Sequence, residues 1–259
     1  MPPLLPAAAP PDWPMADWLM AGPPTVAEQL ALDEALLEEA HEGLFARPVV
    51  RCWMAAKPTV VVGSSSHVDQ EVDREACAVA GVDILRRPSG GLTVLLGPGC
   101  LMWSVIIPCP AGPPPVEQIH RGLLDPLALA INLRLPAGQR VERLGTCDLT
   151  LVTGTNQRKI GGNALRIRRC GLLYHGTLLH GLDLALVGHV LRHPPREPDY
   201  RGRRPHAAFL TQLPLGRAVL EEAVRDAFGA TGHRDQWPIE RVGRLVGERY
   251  SSTSWTERL

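Results

Sequence analysis

Lys159 is one of only two lysines in a chain of 259 residues that carries 25 arginines. Where arginine occupies almost every cationic position, a retained lysine marks a place a guanidinium does not suit. A compact ammonium fits between two acceptors; a broad planar fork does not. Lys159 opens the stretch KIGGNA (Lys159–Ala164), in which Gly161, Gly162 and Asn163 free the backbone to approach a ligand. The stretch RRPSGG (Arg86–Gly91) offers related chemistry. Ser89, Gly90 and Gly91 form a turn whose N–H groups can make an anion-binding concavity, and Arg86 and Arg87 add forks suited to phosphate or carboxylate. Each turn alone also reads as a solvated β-turn. Together they predict one anionic ligand held from two sides. His175, inside YHGTLL, reads either as a hydrogen-bonded core histidine or as a base facing the ligand. Lys57, directly before Pro58, reads as an ordinary turn lysine.

Six cysteines stand at 52, 77, 100, 109, 147 and 170, with no CxxC pair and no zinc-type spacing. They read as reduced, mostly buried thiols of a cytoplasmic protein, with no metal site. Basic and acidic residues balance at 27 each, so there is no basic excess for a nucleic-acid coat. The clusters RIRR and RGRR are short and lack interleaved aromatics. No apolar run reaches the ~18 residues of a membrane span. Residues 1–14 are proline-rich without a basic region, which predicts a disordered lead-in rather than a signal peptide. Residues 15–259 are expected to form a single catalytic-type domain.

These groups need elements to position them. Residues 25–43 predict a helix, with capping-box spacing from Thr25 to Glu28, apolar residues at helical period and Gly43 past the end. VVRCWM and PTVVVG predict a hairpin across a Lys-Pro turn. Residues 69–81 predict one short helix, and VDILRR, LTVLL and CLMWSVIIP predict strands. Residues 115–135 predict a helix kinked or broken at Pro126. CDLTLV, RKIGG, NALRIRR and GLLYHGTLLHG read as a run of strands, and LDLALVGHVLR as a helix. A loop is expected over 193–206 and helices near 216–228 and 238–249. Helices interleaved with an antiparallel-looking middle give an α+β class.

RRPSGG, KIGGNA and HGTLL (His175–Leu179), in that order, resemble the R-R-x-S-G-G-G, K-[VI]-x-G-[SN]-A and H-G-T-L-L segments of lipoate–protein ligases, in the biotin/lipoate protein ligase family. LALDEALL is similar to that family's first helix, PTVVVGSSSHVDQEV to its second hairpin and following loop, CDLTLV to its N-D-L strand and FLTQL to a late T-N-L element. The resemblance implies the catalytic fold shared with biotin protein ligases and class II aminoacyl-tRNA synthetases: mixed, largely antiparallel sheets flanked by helices. It implies that ATP, with Mg²⁺, activates lipoate or octanoate to an acyl-adenylate. The acyl group then passes to a lysine of a lipoyl-domain acceptor, such as a 2-oxoacid dehydrogenase subunit or glycine cleavage H protein. Lys159 would contact both the α-phosphate and the acyl carbonyl. Arg86, Arg87, Ser89, Gly90 and Gly91 would line the adenylate pocket. Asp148, Gly161, Gly162, Asn163, Ala164, His175, Gly176 and Thr177 would complete the substrate site, and aliphatic residues of nearby strands would hold the acyl tail.

The chain departs from that pattern at Leu92, where the family has a third glycine, and at Leu96, where it has histidine. GGLTVLLGPGC is closer to lipoyl(octanoyl) transferases, which use a cysteine thioester and no ATP. Their P-C-G-Y segment corresponds to HPPREPDY here, which has no cysteine. A second group of octanoyltransferases places its cysteine in the loop before the lysine, the region of Cys147. The rival to the ligase is therefore an octanoyltransferase with Cys147, or Cys170, as nucleophile, its pKa lowered by Arg143, Arg158 or Arg169. A non-catalytic lipoyl-domain-binding subunit is the third reading. Long ligases carry a further C-terminal domain, so an accessory partner chain is a further expectation.

Overall fold

The computed structural model describes residues 15–259; the expected disordered lead-in lies outside the described residues. The elements run β1 (Ala16–Leu19), α1 (Val26–Glu42), β2 (Val49–Met54), β3 (Thr59–Val62), α2 (Val68–Glu71), α3 (Arg74–Ala80), β4 (Asp83–Arg86), β5 (Val94–Leu96), β6 (Cys100–Pro108) and α4 (Val116–Asn132). They continue with β7 (Gln139–Leu144), β8 (Asp148–Thr153), β9 (Asn156–Gly161), β10 (Asn163–Arg168), β11 (Gly171–Leu179), α5 (Leu184–Val190), α6 (His206–Phe209), α7 (Arg217–Ala227), β12 (Ala230–Arg234), α8 (Ile239–Leu245) and α9 (Thr253–Thr256). The α+β class holds, with a six-stranded sheet ordered β10-β11-β6-β2-β1-β12 and two three-stranded sheets, β4-β3-β5 and β7-β8-β9. Pairing is antiparallel except at β1–β12, β1–β2 and β3–β4.

The central sheet is covered on both faces, and side-chain alternation sorts its residues. On one face Val49, Ile106, Leu173 and Leu179 pack with Leu30, Leu36 and Leu37 of α1. On the other, Val50, Trp103, Val105, Leu172 and Tyr174 pack with Ile119, Leu123 and Leu127 of α4 and Leu220 and Val224 of α7. His175 and Thr177 fall between Leu173 and Leu179 in the alternation, so they share the α1 face. α1 starts as expected: Thr25 and Glu28 close a capping box, and Gly43 ends the helix at φ 74°.

Three expectations change. The hairpin of VVRCWM and PTVVVG does not form. β2 lies between β1 and β6 in the large sheet, and β3 between β4 and β5 in a small one. Each strand is buried and needs a neighbour on both edges, which a two-stranded hairpin would not supply. The expected helix over 69–81 is two, because Asp73 starts afresh by accepting the Ala76 N–H at 2.9 Å. α4 runs through Pro126. The expected break is therefore absent: Ile119, Leu123 and Leu124 before Pro126 and Leu127 and Ile131 after it bury in one apolar cluster, and that shared packing holds the helix together across the proline. Among the described residues no helix is long and apolar enough to cross a membrane.

Candidate active site

A polar row crosses the sheet beneath α1. Arg51 on β2 pairs with Ser104 on β6, and Ser104 with His175 on β11. Asp33 of α1 sits over this row. Its carboxylate accepts from Arg51 Nη1 at 2.5 Å and from Ser104 Oγ at 2.8 Å, and stands 3.6 Å from His175 Nδ1. Burial alone would raise the Asp33 carboxyl. Arg51, His175 and Ser104 outweigh it and hold the group below the usual carboxylate range. The other ring nitrogen of His175, Nε2, is 2.6 Å from Ser89 Oγ. Ser89 thus fixes the imidazole at Nε2, while the buried Nδ1 faces the Asp33 carboxylate beyond hydrogen-bond distance, and the ring borders a cavity.

Lys159 approaches that cavity from the β7-β8-β9 sheet. Thr150 pairs with Lys159 but Leu149 with Gly161, so Ile160 is an extra residue on β9. Such a bulge re-aims the side chains beside it. Ile160 is buried while Lys159 turns to the cavity, its carbonyl fixed by the Thr211 N–H at 2.9 Å. The ammonium meets Asp148 Oδ1 at 2.7 Å, and Asp148 Oδ2 accepts the Tyr200 hydroxyl at 2.8 Å. A Cβ on Gly162 would stand 2.9 Å from Lys159 Nζ, so the bare backbone there is the space in which the lysine lies.

Cys147 immediately precedes β8. Its Sγ lies 3.3 Å from the Asn163 carbonyl oxygen, while Asn163 Nδ2 donates to the Cys147 carbonyl at 2.6 Å. Burial raises this thiol above its ordinary value, and Asp148 adds to the rise. Lys159, the Asn163 hydrogen bond and Arg143 act the other way.

These groups line one cavity of about 480 Å³, within the size range of ligand sites. Arg87, Gly91, Cys147, Asp148, Lys159, Gly162, Asn163, Ala164, His175, Gly176 and Thr177 all border it, with Leu30, Val61, Leu96 and Met102 as apolar wall. A smaller lobe of about 130 Å³ adjoins at Lys159, with Gly161, Leu95, Leu179, Val187 and Phe209 around it.

The arginines of the first turn are placed differently from the glycines. Arg86 is fully buried; it gives Nε and Nη2 to the Thr256 carbonyl at 2.9 and 2.7 Å, and Nη1 to those of Gly63 and Ser66 at 2.7 Å each. Arg87 donates to the carbonyls of Val61, Gly90 and Leu92 at 3.1, 2.6 and 2.9 Å. Both forks brace the turn from inside, and Gly91 completes it at φ 87°. Ser89 is buried against His175, outside the cavity lining. Cys170 lies apart, in the β10–β11 turn, with its N–H on His41 Nδ1 at 3.3 Å. Among the described residues no group of three or more His, Cys, Asp or Glu side chains could hold a metal ion.

Asp33, Tyr200 and Arg196 belong to this neighbourhood and are not among the sequence candidates. Asp33 had a signal, an acid in the apolar stripe Leu30–Asp33–Leu37. Tyr200 and Arg196 sit in the Pro/Arg-rich loop, where no periodicity marks direction.

Residues 25–230 match the family model "Lipoyl protein ligase A/B catalytic domain". Octanoyltransferase LipM of Geobacillus kaustophilus is 32% identical over 224 residues, 77% of this chain and 78% of that protein. Octanoyltransferase LipM of Symbiobacterium thermophilum is 30% identical over 259 residues, 89% of this chain and 94% of that protein. Among solved structures, a bipartite lipoate protein ligase from Thermoplasma acidophilum, studied with its E2 lipoyl domain, superposes with a TM-score of 0.76 at 21% identity, over 94% of this chain and 96% of that one.

Proposed function

The chain belongs to the lipoyl protein ligase A/B catalytic-domain family, and from that premise we propose that it carries an octanoyl group, as a thioester on Cys147, from an acyl-carrier protein to a lysine of a lipoyl domain. The observation that carries this reading is the pairing of Cys147 with Lys159 on one cavity wall, joined through Asp148. The relatives named octanoyltransferase align over most of both chains, which supports the same choice. So does the first turn, whose arginine forks are spent on internal carbonyls.

In the first half-reaction Cys147 Sγ attacks the donor's thioester carbonyl. The new S–C bond forms, the donor's S–C bond breaks, and the proton lost by Cys147 leaves on the donor thiol. In the second half, the unprotonated ε-amine of the acceptor lysine attacks the acyl-cysteine. An amide forms, the Cys147 S–C bond breaks, and the amine's proton returns to Sγ. Both halves pass through a tetrahedral oxyanion. Lys159, held by Asp148, supplies the donor to that oxygen, a role worth about 10²–10³ in rate.

One observation favours a second reading, ATP-dependent ligation of lipoate or octanoate. The backbone at Gly91 and Gly162 opens on the same cavity as Lys159, leaving room for a phosphate beside the ammonium. Intact mass of an apo lipoyl domain separates the two. With octanoyl-carrier protein and no nucleotide, we expect octanoylation that Cys147→Ser abolishes and a thioester trapped on Cys147. Modification seen only from free acid with Mg-ATP, and retained in Cys147→Ser, would replace the transferase by the ligase. No modification under either condition would favour a non-catalytic lipoyl-domain-binding role.

A further inference from the structure

Ion pairing over this molecule is uneven. Twelve arginines outside the lining of the Cys147 cavity meet an aspartate or glutamate within 4.0 Å: Arg47, Arg51, Arg74, Arg134, Arg140, Arg143, Arg168, Arg217, Arg234, Arg241, Arg244 and Arg249; Arg121, Arg169 and Arg225 meet none among the described residues. Around the cavity the pattern reverses. Arg158, Arg192, Arg196, Arg203 and Arg204 on one side, and Arg166 and Arg258 beside the 86–91 turn, have no carboxylate partner among the described residues. Arg158, Arg166, Arg192, Arg204 and Arg258 donate only to backbone carbonyls, of Ala207, Pro88, Val72, Gln157 and Ser64 among others. Arg196 borders both lobes of the cavity, and it and Arg203 are exposed. The acids nearby do not cancel this charge. Glu197 is shared by His193, Arg201 and the Arg203 N–H, Glu71 is buried on Thr93, Asp148 is paired with Lys159, and the exposed Glu257 next to Arg258 is held by Arg74, which leaves Asp199 as an exposed acid without an ion pair among the described residues.

In a chain of zero net charge, the segment 192–204 alone sets five arginines against two acids, Glu197 and Asp199, and so builds a positive rim at this opening. Carbonyl bonds hold these guanidinium stems in place without neutralising them, so the face is pre-organised for anions. We infer that this arginine rim is a docking face for an acidic protein surface, that of the carrier protein whose tethered acyl group enters the cavity. The inference rests on the transferase reading for the identity of the partner. The spread of the charge argues for a protein face rather than a single phosphate: the arginines lie on both flanks of the opening, and Arg203 and Arg258 are outside the cavity lining. Complementarity of this kind acts on encounter and orientation, and it weakens as salt screens it.

The test uses Arg203→Glu and Arg258→Glu, singly and together, with three octanoyl donors: the carrier protein, a phosphorylated octanoyl-pantetheine, and neutral octanoyl-N-acetylcysteamine. We expect KM for the carrier protein to rise roughly tenfold in the double variant with kcat kept, a loss of the order seen when complementary charge is removed. Kinetics with both small donors should stay as in wild type. Calorimetric titration with unacylated carrier protein should show wild-type binding that weakens with salt and the double variant binding poorly at every salt. Equal losses with the phosphorylated small donor would mean the arginines read a phosphate, and the inference falls. Salt-independent carrier binding that is unchanged in the variants also overturns it. If carrier binding follows the expected pattern but no acyl transfer occurs, the docking face stands and the transferase reading is what fails.

Discussion

At the scale of single residues, the site turns on three neighbours with opposing charge. Lys159 pulls the Cys147 thiol down, while burial and Asp148 push it up, and the rise prevails. Only the thiolate is nucleophilic, so alkylation measures this balance without needing any acyl donor. Iodoacetamide should label Cys147 at a rate that still climbs with pH through the ordinary thiol value of about 8.5. Lys159→Met removes the cation and should slow labelling at a fixed pH. Asp148→Asn removes the anion and should speed it. Reversed signs, read by peptide mass spectrometry, would mean that Lys159 does not face the sulfur. Lys159→Arg keeps the charge, but the larger fork must share the space beside Gly162, so octanoyl transfer should fall as far as in Lys159→Met, by about 10²–10³. Lys159 is legible in the sequence because it is a lysine among arginines. Tyr200 is not, since its hydrogen bond to Asp148 crosses 52 positions of chain from an irregular loop.

At the scale of elements, α1 is both a core helix and the support of His175. Asp33 carries that double role, being 1% exposed and bound to Arg51 and Ser104. Asp33→Ala leaves the Arg51 guanidinium buried without its counter-ion, and removing one partner of a buried pair costs about 3–5 kcal/mol. Urea unfolding should show that loss. Replacing both, as Asp33→Leu with Arg51→Met, removes the stranded charge and should recover most of the stability, though His175 loses its orientation and transfer stays slow. A double variant no more stable than Asp33→Ala would mean the carboxylate matters for packing and not for charge. The caps of α1 are written in neighbouring residues, so helix and bounds are legible. Which strands pair is a matter of long-range burial, so β2 and β3 read as a hairpin and yet enter different sheets. β1, β7 and β12 are short or lie outside the strongly apolar runs, and local pattern does not announce them.

At the scale of the whole molecule, the segment after α8 folds back onto both α1 and the first glycine turn. Arg249 and the Tyr250 hydroxyl both reach Glu34, which is 1% exposed, the latter at 2.8 Å. Thr256 offers its carbonyl to Arg86, and the Trp255 Nε1–H donates to the Arg86 carbonyl at 2.9 Å. The motif RRPSGG therefore owes part of its shape to residues some 170 positions away, as the separation of Arg86 from Thr256 records. Its chemistry was legible as a basic glycine turn; that the bases face inward depends on partners no local pattern names. Deleting residues 246–259 should strip Glu34 of both partners and Arg86 of one acceptor. A buried carboxylate left alone is the larger penalty, of about 3–5 kcal/mol. The decisive comparison is Glu34→Gln. In the full chain it should destabilise, because Arg249 loses its counter-ion and Tyr250 an ionised acceptor. In the shortened chain it should stabilise, because a neutral amide is cheaper to bury than an unpaired charge. Thermal melts of the four proteins give the sign directly. If Glu34→Gln shifts both backgrounds the same way, the segment does not act through Glu34, and the coupling between the far end of the fold and its first glycine turn must run through Arg86 alone.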